Sequence, residues 1–295
     1  VAAGASSYLT NIGKVEGKGY EVLLEGTVLK MNDFSWDLSV NYFSNTQEVV
    51  SITEGVNEIT ISAVDDYGVF AIVGEEYPQL KATSYTRDPQ GRVVVDALTG
   101  DPIKGELKNM GKTTPDYILG MTSTFNYKNL SLSATMDYRT GHVYYEEGSD
   151  AMEFTGRSRE SVSANRQDFV FPNSVVEVSD GVFEANTNIP VTGGRQDFWT
   201  NTYNDIKENY VKDATALKMR EVSLTYTLPN SIISKFPIES MRFGLIGRNL
   251  FTWLPEESSF SDPEFNNSTG NAIGIGGYFQ SPPTRSIGFS VNVEF

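Results

Sequence analysis

Cysteine is absent from the 295 residues, which removes disulfides, thiolate metal sites and a cysteine nucleophile together. Histidine occurs once, at His142. A Ser-His-Asp triad would depend on it entirely, and no Gly-x-Ser-x-Gly elbow accompanies it; the expectation is an exposed, non-catalytic histidine at the mouth of a loop. Cations are scarce: 23 Lys and Arg stand against 38 Asp and Glu, a formal net charge of -15. Nucleic-acid backbone binding needs clustered positive charge, so that class is set aside. No apolar run approaches the roughly 18 residues of a spanning helix. With 39% hydrophobic residues and a mean hydropathy of -0.29, the chain is no bundle of membrane helices. A membrane barrel escapes that exclusion, because its lipid-facing residues are diluted by lumen and loop residues. The opening stretch Val1-Ala-Ala-Gly-Ala-Ser-Ser-Tyr8 lacks the basic and apolar regions of a secretory signal.

What is present is alternation. Side chains on a strand point to opposite faces in turn, so period-two patterning reads as a strand between two different media. The last eleven residues place Ile287, Phe289, Val291, Val293 and Phe295 on one face and Ser286, Gly288, Ser290, Asn292 and Glu294 on the other. Six further segments behave alike, giving expected strands near 18–29, 34–45, 116–128, 130–145, 215–228, 239–253 and 284–295. In the first of them Val28 is assigned to the apolar face with Tyr20, Val22 and Leu24. Their connections alternate in length: 30–33, 128–129 and 229–238 are short, whereas 46–114, 146–213 and 254–283 are long. Short turns at one end and long loops at the other are the asymmetry of outer-membrane barrels. Aromatics sit near both ends of the apolar rows, at Phe34, Trp36 and Tyr127 and at Tyr42, Tyr138 and Trp253, as interfacial girdles would.

Candidate chemistry is thin. Adjacent carboxylates, Asp65-Asp66 and Glu146-Glu147, could serve a glycosidase, but among 38 acidic residues solvated loop charge is the plainer reading. Asp262-Pro-Glu264 and Asp180-Gly181 offer oxygen ligands without EF-hand spacing. No cofactor is expected, calcium in the loops being the one metal left open. Gly274-Ile-Gly-Gly277 lacks the strand and helix of a phosphate loop, and Asn266-Asn-Ser-Thr269 matches a glycosylation acceptor only as a weak pattern. Tyr144, Tyr145 and Trp199, beside loop carboxylates, suit a sugar or peptide ligand, or else pack against their own loops. Asp137, Arg139 and Arg248 fall on the polar face, where pore charges select solutes.

Several segments, in order, carry a resemblance: Asn11-Ile-Gly-Lys-Val-Glu-Gly-Lys-Gly-Tyr-Glu21, Phe34-Ser-Trp36, Pro115-Asp-Tyr-Ile-Leu-Gly120, Leu217-Lys-Met-Arg-Glu-Val-Ser-Leu-Thr-Tyr-Thr-Leu-Pro229, Arg248-Asn-Leu-Phe-Thr-Trp253, Asp262-Pro-Glu264 and the stretch from Pro283 to Phe295. Together they resemble the C-terminal barrel of SusC/RagA-like TonB-dependent transporters. The resemblance implies an all-β, antiparallel transmembrane barrel of 22 strands, incomplete in this sequence, in the outer membrane of a Gram-negative bacterium. It implies TonB-energised import of glycans or peptides and no enzymatic step. The implied partners are a SusD-like surface lipoprotein acting as lid, the TonB complex reached through a plug and N-terminal strands that this sequence lacks, and lipid or lipopolysaccharide. Phe295 is then the expected membrane-assembly signal. The alternative is a secreted soluble β-sandwich that binds carbohydrate, with a β-rich glycosidase behind it.

Overall fold

The structure is a computed structural model that describes residues 11–64, 66–258, 260–268, 270–278 and 281–295. The opening stretch Val1 to Tyr8, Asp65 of the first carboxylate pair and Thr269 of the glycosylation pattern lie outside the described residues.

Seven strands form one antiparallel sheet in chain order. They are β1 (Lys14–Lys30), β2 (Phe34–Ser51), β3 (Tyr117–Tyr127), β4 (Leu130–Thr140), β5 (Ala216–Thr227), β6 (Ser240–Trp253) and β7 (Ser286–Glu294). Each pairs with its sequence neighbours, and the sheet is not closed. The register aligns the apolar faces: Trp36 opposes Phe125, Phe125 opposes Leu132, Leu132 opposes Leu224, Leu224 opposes Leu245 and Leu245 opposes Phe289. One face is therefore a continuous apolar band six strands wide along that row. Tyr20, Leu24, Phe125, Leu224, Leu245, Ile287 and Phe289 are all exposed on it, and among the described residues no second sheet covers it. A soluble sandwich requires such a second sheet. Trp36 keeps its indole N–H satisfied on this dry face by donating to Ser123 Oγ at 2.9 Å, as a partly buried Trp must.

The opposite face is a ladder of hydroxyls and amides. Thr122 bonds Thr135 at 3.0 Å, Thr124 bonds Ser133 at 3.0 Å, and Asn126 Nδ2 donates to Ser35 Oγ and Asp37. Such cross-strand polar pairs satisfy side chains that face water across a sheet.

Bulges explain where the alternation breaks. Arg220 is skipped in the pairing of β5 with both neighbours, so the apolar face switches from Leu217 and Met219 to Val222, Leu224 and Tyr226. A bulge inserts one residue and re-aims its side chain. Asn249, with φ 51°, falls in the weak middle of β6. In β1 the register skips Val28, so that Leu29 opposes Trp36; the sequence assignment of Val28 to the apolar face is corrected accordingly.

The turns 31–33 and 128–129 and the link 228–239 lie at one end of the sheet, where Glu239 N bonds Glu294 O at 2.7 Å, putting Phe295 at that end, 85% exposed. The three long links leave the other end. They are not open loops. The first folds into a four-stranded antiparallel sheet, 58–64, 67–72, 79–85 and 104–112. The second joins it through Ser174 and Val175, parallel to Val93 and Val94. The third joins the second through Ile275 and Gly276, parallel to Tyr145 and Glu146. The apolar core lies in this cap. One cluster gathers Tyr67, Val69, Leu80, Tyr145, Tyr210 and Ile275 from all three links.

Candidate functional site

The links are locked together by carboxylates without cations. Glu146 and Glu147, 0% and 6% exposed, begin helix α1 (Glu147–Phe154). Glu146 Oε1 accepts from Tyr144 OH at 2.9 Å and from the backbone N–H groups of Phe260 and Ser261 at 3.1 and 2.7 Å. Glu147 accepts from Tyr67 OH at 2.8 Å, Asn267 Nδ2 at 2.9 Å and Tyr278 N at 3.2 Å. A buried carboxylate is tolerated when its lone pairs are filled this way. The pair expected as solvated loop charge is instead a clamp across three links.

Tyr144, Tyr145 and Trp199 are corrected by the same packing. They are 1%, 0% and 8% exposed. Tyr145 stacks on Tyr67 at 3.7 Å between centroids and donates to Asp150 at 2.6 Å. Trp199 Nε1 donates to Gly193 O at 2.8 Å, and its ring meets Phe198 edge-on. Tyr145 and Trp199 are packed into the cap interior, and Tyr144 is as deeply buried but borders a small cavity. Burial pushes the hydroxyls of Tyr144 and Tyr145 far up from the ordinary 10.0, and Glu146 and Asp150 add to it.

Asp137 and Arg139 do converge, in a six-charge network on the polar face of β4 and β5. Lys218 Nζ reaches both oxygens of Asp262 at 2.5 and 2.6 Å and Glu264 Oε2 at 2.6 Å. The bulged Arg220 forks onto Glu264 at 2.8 and 2.6 Å and onto Asp137. Arg139 Nη2 closes the circuit on Glu264 at 2.5 Å. Three cations and three carboxylates cancel, and the third link is pinned to the sheet wall. Asp262 and Glu264, considered as calcium ligands from the sequence, hold these cations instead. Asp180 and Gly181 form an exposed turn, and among the described residues no carboxylate or histidine cluster suits a metal. Arg248 stands outside the network: it is 63% exposed in its side chain and pairs with Glu221 at 2.9 Å.

His142 is half-buried, not exposed as expected. It borders a cavity of about 100 Å³ together with Thr113, Arg139 and Glu264. Burial first, then Arg139, pushes it down to about 4, so it is neutral at ordinary pH. Beside the network runs a groove of about 390 Å³ lined by Asn249, Thr252 and Arg285 together with the mutually paired Lys218, Arg220, Asp262 and Glu264. Its donors suit hydroxyl- or carbonyl-bearing solutes.

Glu264 makes the anchor acid-labile. Burial opposes its ionisation, but hydrogen bonds from Arg220 and Lys218 outweigh it and hold the carboxyl down to about 2, below the ordinary 4.5. A folded value below the unfolded one gives stability that is complete above 4.5 and lost as pH falls through about 2. Hydroxyl-radical footprinting of Phe265 in the intact protein should stay constant down to pH of about 4.5 and rise toward 2.

No family model matches the chain. It is 24% identical over 99% of its length to TonB-dependent receptor P3 of Formosa agariphila and 27% identical over 99% to TonB-dependent receptor P26 of the same organism. It spans 30% of each. TonB-dependent receptor SusC of Bacteroides thetaiotaomicron is 25% identical over 46% of the chain, which is 15% of that protein. The fold is similar to that in a structure of the RagAB peptide transporter, with a TM-score of 0.67 and 19% identity, over 99% of this chain and 31% of that one.

Proposed function

We propose that this chain, similar over 99% of its length to a TonB-dependent receptor, is the C-terminal barrel portion of a SusC/RagA-like transporter and builds one wall of an outer-membrane nutrient importer and the loop cap above it. The observation that carries the reading is the aligned apolar band, exposed on one face of all seven strands. Lipid is the partner such a band calls for, and water in the lumen suits the hydroxyl ladder behind it. The free edges of β1 and β7 then pair with further strands of the barrel, since an unpaired edge in a bilayer leaves backbone groups unsatisfied. Lipid or lipopolysaccharide surrounds the band, and Phe295, exposed at the short-turn end of the sheet, serves the assembly machinery as a signal.

In this reading glycans or peptides enter through the capped end. A SusD-like lipoprotein covers that end as a lid, and TonB supplies the energy through a plug elsewhere in the protein. Asp137 and Arg139 act on solutes only through the groove beside their network, with Asn249, Thr252 and Arg285 presenting the donors. Binding and release suffice, with no bond broken. The test is uptake: deleting the complete gene in its host should abolish import of a fluorescent glycan or peptide nutrient, and deleting TonB should do the same. Unimpaired uptake after the gene deletion overturns the reading.

A further inference from the structure

The largest cavity described, about 890 Å³, lies in the cap, away from the network. Its mouth carries charges of both signs: Arg157, Arg159 and Glu160 from the segment after α1, and Glu256 and Glu257 from the third link, all exposed. Among the described residues none of these five makes an ion pair. Solvent and mutual cancellation leave such a rim electrically mild.

The floor differs. Glu153, the last acid of α1, is 2% exposed. Ser158 Oγ donates to one carboxyl oxygen, while Oε1 has no partner. A buried carboxyl oxygen without a donor is costly, and in a cavity wall an added donor relieves that cost. Tyr203, Tyr210 and Phe260 line the same cavity. Lys212, also in the lining, donates to Asn209 O at 2.7 Å and makes no ion pair with Glu153. Aromatic faces around one carboxyl select organic cations over anions and over neutral solutes. No group of carboxylates or histidines there suits a metal among the described residues.

We propose that this cavity is a binding site for solutes bearing a primary ammonium group, which donates to Glu153 Oε1 between the rings of Tyr203, Tyr210 and Phe260. The site stands independently of the import reading, because binding is measured directly.

Burial lifts Glu153 to about 7, against the hydrogen bond from Ser158, and the charge of Glu160 raises it further while Lys212 lowers it. Asp150, on the same helix, also raises it, although Lys207 pairs with that carboxylate at 3.1 Å. The rim residues Arg157, Arg159, Glu256 and Glu257 contribute opposing charge. Cation binding thus needs the ionised form, which prevails only above about 7.

The experiment uses the full-length protein in nanodiscs, with benzylammonium as ligand and benzyl alcohol as its uncharged control, followed by calorimetry. Benzylammonium should bind about tenfold tighter near pH 8 than near pH 6, release a proton on binding near neutrality, and outcompete benzyl alcohol. Glu153→Gln should lose both the affinity and the pH dependence. Equal binding of the two ligands, or affinity independent of pH in the unsubstituted protein, overturns the proposal whatever the variant's folding.

Discussion

Replacing Lys218 with methionine is expected to cost about 3–5 kcal/mol, the typical penalty for breaking a buried ion pair from one side. Lys218 is the only cation paired with Asp262 among the described residues, and both side chains are 6% exposed. Without it Asp262 retains one backbone donor, Glu264 N at 3.0 Å, and its charge is left buried. Glu264 suffers less, because Arg220 and Arg139 still hold it. The expected signature is therefore local: denaturant unfolding of the intact protein shifts, and footprinting shows Phe265 and the segment 254–285 opening while the strands stay protected. The double change Lys218→Met with Asp262→Leu should recover most of the loss, since replacing both partners by apolar groups is often neutral. Coupling between the two sites in the mutant cycle gives the network's own contribution. Purely additive losses would mean that the third link is held elsewhere, by the Glu146 and Glu147 clamp.

That anchor was only half legible in the sequence. Asp137 and Arg139 stood out because charges on a strand's polar face need a reason. Lys218 and Arg220 did not, since the bulge that brings Arg220 round appears only as a parity break between Met219 and Val222. The seven strands were legible because each borders two media, and period two is the imprint of that asymmetry. Residues 44–51 of β2 pair only with β1 within the sheet and carry no sustained apolar row, so the expected end at 45 fell short of Ser51. The cap strands escaped for the opposite reason. Tyr67–Ile72 and Gln79–Tyr85 are buried almost throughout, and a strand covered on both faces shows no alternation. Tyr144 and Tyr145, just before the second link, leave ligand contact and loop packing equally open, because a packed aromatic and a waiting one have the same sequence. Only the acceptors opposite them, Glu146, Glu147 and Asp150, decide the matter, and those lie within the same short stretch.

The apolar band makes the second large effect. Val222 and Ser223 are adjacent in β5 and point to opposite faces, Val222 opposing Ala134 and Gly247 and Ser223 opposing Ser133 and Ile246. If lipid covers the band, Val222→Arg should destabilise the full-length protein by about 2–4 kcal/mol, as arginine does at the bilayer midplane, and Ser223→Arg on the hydroxyl face far less. Urea unfolding from lipid vesicles, with heat-modifiable migration as the folded marker, measures both. The decisive feature is depth. Phe251 and Tyr226 lie toward the two ends of the same face, and arginine there should cost only about 0–1 kcal/mol, because the side chain reaches the interface. A packed protein core facing the band would also resist Val222→Arg, but it has no interface to reach, so its penalties would follow local packing and not distance from the strand ends. Equal penalties along the row would therefore remove lipid as the band's partner, and a maximum near Val222 falling toward both aromatic ends would fix the membrane's position on the sheet.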